Sequence, residues 1–112
     1  MTESELTRKL CRALEAQGAI CIPLVGGAMS MPGVPDRFIA HKAIPGGMFV
    51  EFKVEGGCID ARQAHVINGL RERGVRVEVV VIRAGEFALF GEWEWRKWGE
   101  FLDIINKGKS NV

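Results

Sequence analysis

The segment Met48-Phe49-Val50-Glu51-Phe52-Lys53-Val54 constrains this chain most. Side chains alternate between the two faces of an extended strand, so Met48, Val50, Phe52 and Val54 form a continuous apolar face. Glu51 and Lys53 share the opposite face. Such a strand reads as the central strand of a sheet, with an acid and a base fixed side by side. Upstream stands Asp36, in Gly33-Val34-Pro35-Asp36, at the mouth of the preceding strand. Two carboxylates hold a hard divalent cation through oxygen ligands. A lysine beside them positions or activates an attacking water and offsets charge on a phosphate. The arrangement suits metal-dependent phosphodiester cleavage.

At 112 residues the chain is expected to form one domain, residues 1–112, with room for one substantial core. Its apolar fraction of 47% and its mixture of charges argue for folding rather than disorder. A net charge of +1 does not announce a nucleic-acid binder. A metal site uses acids, however, and its cations restore positive charge locally, so bulk charge can hide a basic surface. Arg8, Lys9, Arg12, Arg62, Arg71, Arg73, Arg76, Arg83, Arg96 and Lys97 are available for one. Cys11, Cys21 and Cys58 show no paired spacing and read as reduced, partly buried thiols. The start Met-Thr-Glu-Ser-Glu has no basic and apolar leader, and no apolar run reaches the roughly 20 residues that span a bilayer. The expected location is the cytoplasm, with no membrane partner.

The spacing predicts a first helix over Glu3 to Gln17, capped by Thr2 with Glu5 and stopped by Gly18, its stripe Leu6, Leu10, Ala13 and Leu14. Glu3 shares the phase of that stripe, whereas Glu5 falls with Lys9 and Arg12 on the solvent face. Ala19 to Leu24 reads as a strand, Val25 to Val34 as a flexible loop, and Arg37 to His41 as a short strand. Ile44-Pro45-Gly46-Gly47 reads as a turn before the central strand. Asp60 caps a second helix, Ala61 to Arg73, closed by Gly74. There Gln63 lies on the apolar side with Val66, Ile67 and Leu70, so its amide should face something specific. Arg76 to Ile82 is a buried strand and Glu86 to Gly91 a short edge strand. Trp95, Trp98, Leu102 and Ile105 have helical spacing within Glu92 to Lys107, although Gly99 weakens it. A polar tail, Lys107 to Val112, is expected to fray. The order α-β-β-β-α-β-(β)-α makes the fold α/β, a mixed β-sheet flanked by helices.

On that framework the set Glu3, Asp36, Glu51, Lys53 and Gln63 resembles the PD-(D/E)xK nuclease superfamily. It is most similar to the VRR-NUC family, the virus-type replication-repair nucleases. The likeness rests on Gly33-Val34-Pro35-Asp36, on Glu51-Phe52-Lys53, and on Asp60-Ala61-Arg62-Gln63 opening a helix that ends in Arg73-Gly74-Val75. It covers residues 2 to about 82. The resemblance implies a restriction-endonuclease-like sheet and a Mg²⁺- or Mn²⁺-dependent DNA endonuclease. By the same resemblance Asp36 and Glu51 are the metal-binding carboxylates, with the Phe52 carbonyl as a further ligand and Glu3 as the first-helix acid. Lys53 is the catalytic lysine, and Gln63 orients the site from the following helix. Minimal stand-alone members, as found in phages, look like homodimers acting on branched DNA, for which a four-way (Holliday) junction is a natural twofold substrate. A restriction-like, flap or nicking nuclease, and a non-catalytic DNA-binding module, are the competing readings.

His41 and His65 read as ordinary surface or half-buried residues. No Cys/His spacing suggests zinc, and no glycine pattern suggests a nucleotide cofactor. Trp93, Trp95 and Trp98 read as core or subunit packing.

Overall fold

A computed structural model describes residues 1–24 and 31–109 of the chain. The expected Val25–Val34 loop therefore lies largely outside the described residues, as does the end of the tail. The elements in chain order are helix α1 (Glu3–Glu15), strands β1 (Ile20–Pro23), β2 (Arg37–His41) and β3 (Ile44–Val54), helix α2 (Ala61–Glu72), strands β4 (Val77–Arg83), β5 (Glu86–Leu89) and β6 (Arg96–Lys97), a single 3₁₀ turn (Trp98–Glu100), and helix α3 (Phe101–Lys109).

The six strands make one mixed sheet whose spatial order follows the chain, β1-β2-β3-β4-β5-β6. Only β3 and β4 run parallel. A parallel step cannot be closed by a tight hairpin and needs a crossover, which α2 provides. β3 lies at the centre, between β2 and β4, as its two-faced sequence predicts.

Each face of β3 has its own cover. Met48, Val50 and Phe52 are wholly buried with Val80 and Ile82 beneath Leu6, Leu10 and Leu14 of α1 and Phe101, Leu102 and Ile105 of α3. Burying one such side chain contributes about 1.5–3 kcal/mol. On the opposite face Ile67 of α2 packs on Val77 and Val79, flanked by Phe49 and Leu70. Glu51 and Lys53 lie on this α2 face. The Thr2 hydroxyl accepts from the Glu5 N–H at 3.1 Å, holding the start of α1.

Three expectations are corrected. Ile44 to Gly47 is the start of β3, and the hairpin turn is Lys42-Ala43. His41 makes this tight turn possible. Its Nδ1 accepts from the Ala43 N–H at 3.0 Å, which leaves Nε2 as the protonated nitrogen facing the Gln17 carbonyl at 2.9 Å. The pairing slips between Ile39 and His41, and Gly46 and Gly47 take φ of 79° and 71°. These glycines serve an irregular strand rather than a turn. At Gly47 a Cβ would stand 2.4 Å from Cζ of Phe38, so the approach itself demands glycine.

The last helix begins at Phe101, not Glu92. Arg96 and Lys97 instead pair with Phe87 and Glu86, so β5 is not a sheet edge. Trp98 anchors the change: its indole N–H donates to the Glu86 carbonyl at 2.9 Å and its backbone N–H to that of Gly85 at 3.1 Å. Trp95 lies under the Arg83 guanidinium, 3.8 Å from the ring centroid, while Trp93 is 83% exposed. The helical spacing of the tryptophans is thus coincidental, and unpaired backbone on β5 captures the segment. Among the described residues no helix is long and apolar enough to cross a membrane.

Candidate active site

The site forms where the sheet opens between β2 and β3. Pairing ends with Arg37 opposite Val50. The ladder cannot extend upstream past Pro35, which has no N–H to give. Phe52 therefore has no partner residue in β2. Its N–H donates instead to Oδ2 of Asp36, at 3.0 Å. Phe49 donates to the Arg76 carbonyl beside β4, so by alternation the backbone groups of Phe52 face the β2 side. The Phe52 carbonyl thus opens into the same gap as Asp36.

Glu51 is 2% exposed, the one buried charged residue among those described. Its Oε2 meets Lys53 Nζ at 3.2 Å and accepts from Gln63 Nε2 at 2.9 Å. Gln63 is itself held: its Oε1 accepts from the Asp60 N–H at 3.1 Å, while its own N–H donates to Asp60 Oδ1 at 2.8 Å. This reciprocal helix cap also settles which way the amide points. Oε1 must be the atom facing a backbone donor, so the NH₂ group is the one presented to Glu51. The polar residue in the apolar stripe of α2 faces the buried acid.

Burial holds the Glu51 carboxyl above the usual range, and the negative charge of Asp36 raises it further. The hydrogen bond and charge of Lys53 act the other way, and Glu3 adds a last, smaller push upward. Glu3 thus comes within electrostatic range of Glu51 from the first turn of α1. A half-buried carboxylate beside a buried one that is opposed only in part by a lysine is a place where a cation lowers the energy. The donors are hard oxygens: Asp36, Glu51 and the Phe52 carbonyl. Among the described residues no three His, Cys, Asp or Glu side chains cluster closely enough to hold an ion by themselves. Two carboxylates with water and phosphate completing the shell is the way Mg²⁺ is usually bound, so the residues fit such an ion.

Glycines set the walls. Gly33 has φ +87°, and a Cβ there would stand 2.9 Å from the Arg62 carbonyl oxygen and 3.0 Å from Cγ2 of Val66. The Gly33–Asp36 segment thereby lies directly against the first turns of α2. At Gly57 a Cβ would stand 3.0 Å from the Val54 carbonyl oxygen and 3.3 Å from the Cβ of Lys53. Pro35 is buried.

All the predicted side chains except Glu3 come together here in direct or one-step contact, and Glu3 acts from farther away. Asp60, which the sequence marks as a helix cap, also orients Gln63, and the Asp-x-x-Gln spacing carries the signal. His65 is exposed. Several arginines considered for a basic surface are engaged within the fold: Arg71 with the Val77 carbonyl, Arg76 with that of Ile105, Arg83 with Glu86, and Arg96 with Glu94. No protein-family model and no curated protein sequence matches the chain.

Proposed function

We propose that this chain is a Mg²⁺- or Mn²⁺-dependent endonuclease that hydrolyses phosphodiester bonds of DNA. The observation that carries this reading is the series Gln63–Glu51–Lys53, anchored on Asp60 and set beside Asp36 where the sheet opens. The resemblance of these segments to the VRR-NUC nucleases supports it. Asp36, Glu51 and the Phe52 carbonyl would hold the ion. When bound, such an ion polarises a phosphoryl oxygen and makes water a better nucleophile at neutral pH.

The chain's own residues do the rest. Lys53 Nζ, at the mouth of the site, places positive charge where the phosphate becomes more negative as water adds and the leaving oxygen departs. Glu51 keeps that ammonium in place through the 3.2 Å contact. Gln63 positions Glu51 and does not itself reach the substrate. The Phe52 N–H fixes Asp36 by its Oδ2.

Branched DNA, above all the four-way junction, is the proposed substrate, cut by a homodimer acting in the cytoplasm. The outer strand β1 supports the dimer: Ile20 and Ile22 are 62% and 44% exposed on one of its faces, apolar surface that this reading assigns to a second copy.

Cleavage of matched linear, flapped, splayed and four-way-junction DNA with Mg²⁺ or Mn²⁺, alongside Lys53→Ala, tests the reading. Junction cutting that falls by about 10²–10³-fold in Lys53→Ala is the expected result. A preference for flaps retains the chemistry and discards the junction. Sequence-dependent cutting of linear duplex makes it restriction-like. Salt-sensitive binding without cleavage of any substrate makes it a binding module.

A further inference from the structure

Cys11 and Cys21 take no part in the site just described, and both are free thiols. In β1 Ile20 and Ile22 are exposed, so alternation turns Cys21 inwards, onto α1. There its S–H points at the carbonyl oxygen of Cys11, with Sγ at 3.9 Å, and the two thiols lie near enough for each to shift the other's proton affinity. Cys21 pairs across the sheet with Ile39, and Arg37, two positions along β2, shares that face. The positive charge of Arg37 acts on the Cys11 thiol from this side. Residues of α1, β1 and β2 thus meet around Cys11.

Cys11 is buried and Cys21 half-buried. The charged neighbours are Arg37, which favours an anion here, and Glu15, which opposes it more weakly. The neighbouring Cys21 thiol and the presence of Arg37 draw the Cys11 thiol below its ordinary value, although burial acts against them. The Cys21 thiol is pushed far up, chiefly by the neighbouring Cys11 thiol and then by burial. One sulfur is prepared as the nucleophile, and the other keeps its proton. Reactive cysteines owe their behaviour to such a cationic neighbour, and redox sensors set a resolving thiol beside them.

We propose that Cys11 and Cys21 are a redox-active dithiol which a hydroperoxide converts into an intramolecular disulfide, clasping α1 to β1. The Cys11 thiolate attacks the peroxide, an S–O bond forms and the O–O bond breaks. The departing oxygen leaves as hydroxide or alkoxide and takes a proton from water. Cys21 then attacks the Cys11 sulfur: the S–S bond forms, the S–O bond breaks, and the hydroxyl leaves with the Cys21 proton as water. Two electrons pass from the sulfurs to the peroxide. Arg37 carries the effect toward the nuclease-like site, because its Nη1 also donates to the Asp36 carbonyl at 3.1 Å. The disulfide itself does not depend on the proposed nuclease activity.

The test uses the full chain with Cys58→Ser, which removes the exposed thiol. It is treated with hydrogen peroxide, alkylated, and measured by intact mass and peptide mapping. The expected product has lost two hydrogens, takes no alkylating reagent, and yields a peptide joining Cys11 to Cys21. Arg37→Leu should slow its formation by about tenfold, and Arg37→Lys should restore most of the rate. With Cys21→Ser the expected species is a sulfenic acid on Cys11, trapped by dimedone. Two thiols still alkylated after excess peroxide, or a disulfide found only between molecules, would overturn the proposal. So would a sulfenic acid formed on Cys21 in preference to Cys11.

Discussion

Gln63 shows how much one amide can decide. It closes the cap of α2 with one end and holds the buried Glu51 with the other. The two roles separate experimentally. Gln63→Glu keeps a residue type that completes helix caps, but it sets a second carboxylate against Glu51. The two would repel and Glu51 would lose its donor. Cleavage at neutral pH should fall by about 10–100-fold, the scale seen when a partner of a metal ligand is removed. Stability at neutral pH should fall as well, by about 1–3 kcal/mol, the cost of leaving a buried acceptor without its donor. Single-turnover rates and melting curves on the same preparations check this. A large loss of stability with unchanged cleavage would mean that the cap, not the site, is what Gln63 serves. The phase of Gln63 among Val66, Ile67 and Leu70 was legible in the sequence. Its acceptor was not, because the chain separates Glu51 and Gln63 and only packing of α2 on β3 joins them.

At the scale of elements, the placing of α2 depends on Gly33. The backbone there has φ +87°, and the Arg62 carbonyl and Val66 leave no room for a Cβ. Gly33→Ala therefore meets both a conformational penalty and a clash with backbone that cannot swing aside. It should destabilise by about 1–3 kcal/mol. Urea unfolding should show a lower midpoint with an unchanged slope. A midpoint equal to the parent's would show that the Gly33–Asp36 segment does not press on α2. The elements read best from sequence are β2, with the bounds expected, and α1 and α2, each ending within two residues of expectation. The segment from Glu92 misled because tryptophans at helical spacing say nothing of a neighbouring strand that offers unpaired backbone. Ile44–Gly47 misled because glycines with positive φ serve a bulge as readily as a turn.

For the whole molecule, the raised Glu51 carboxyl makes stability depend on pH. A carboxyl that binds its proton more tightly folded than unfolded favours the fold below its ordinary range. That contribution is lost as pH rises through its folded value. Glu51→Gln, neutral throughout, should therefore melt higher than the parent at neutral pH, with the gap closing as pH falls below the ordinary glutamate range. A parent that melts higher at neutral pH would show Lys53 outweighing burial. Mg²⁺ should then raise the melting temperature of the parent but not that of Glu51→Gln, a stabilisation of about 2.7 kcal/mol at a hundred times its dissociation constant. An equal rise in both would place the ion elsewhere. The sequence by itself determined the two-faced central strand, the buried stripe of α1 and the residue types of the site, since alternation and helical period are local properties. Only the tertiary structure decided that the sheet opens beyond Val50, that Gln63 reaches Glu51, that Glu3 acts from a distance, and that Cys21 meets Cys11 and Arg37. Each of these is a contact between segments far apart in the chain, made by strand register and helix packing that no local pattern encodes.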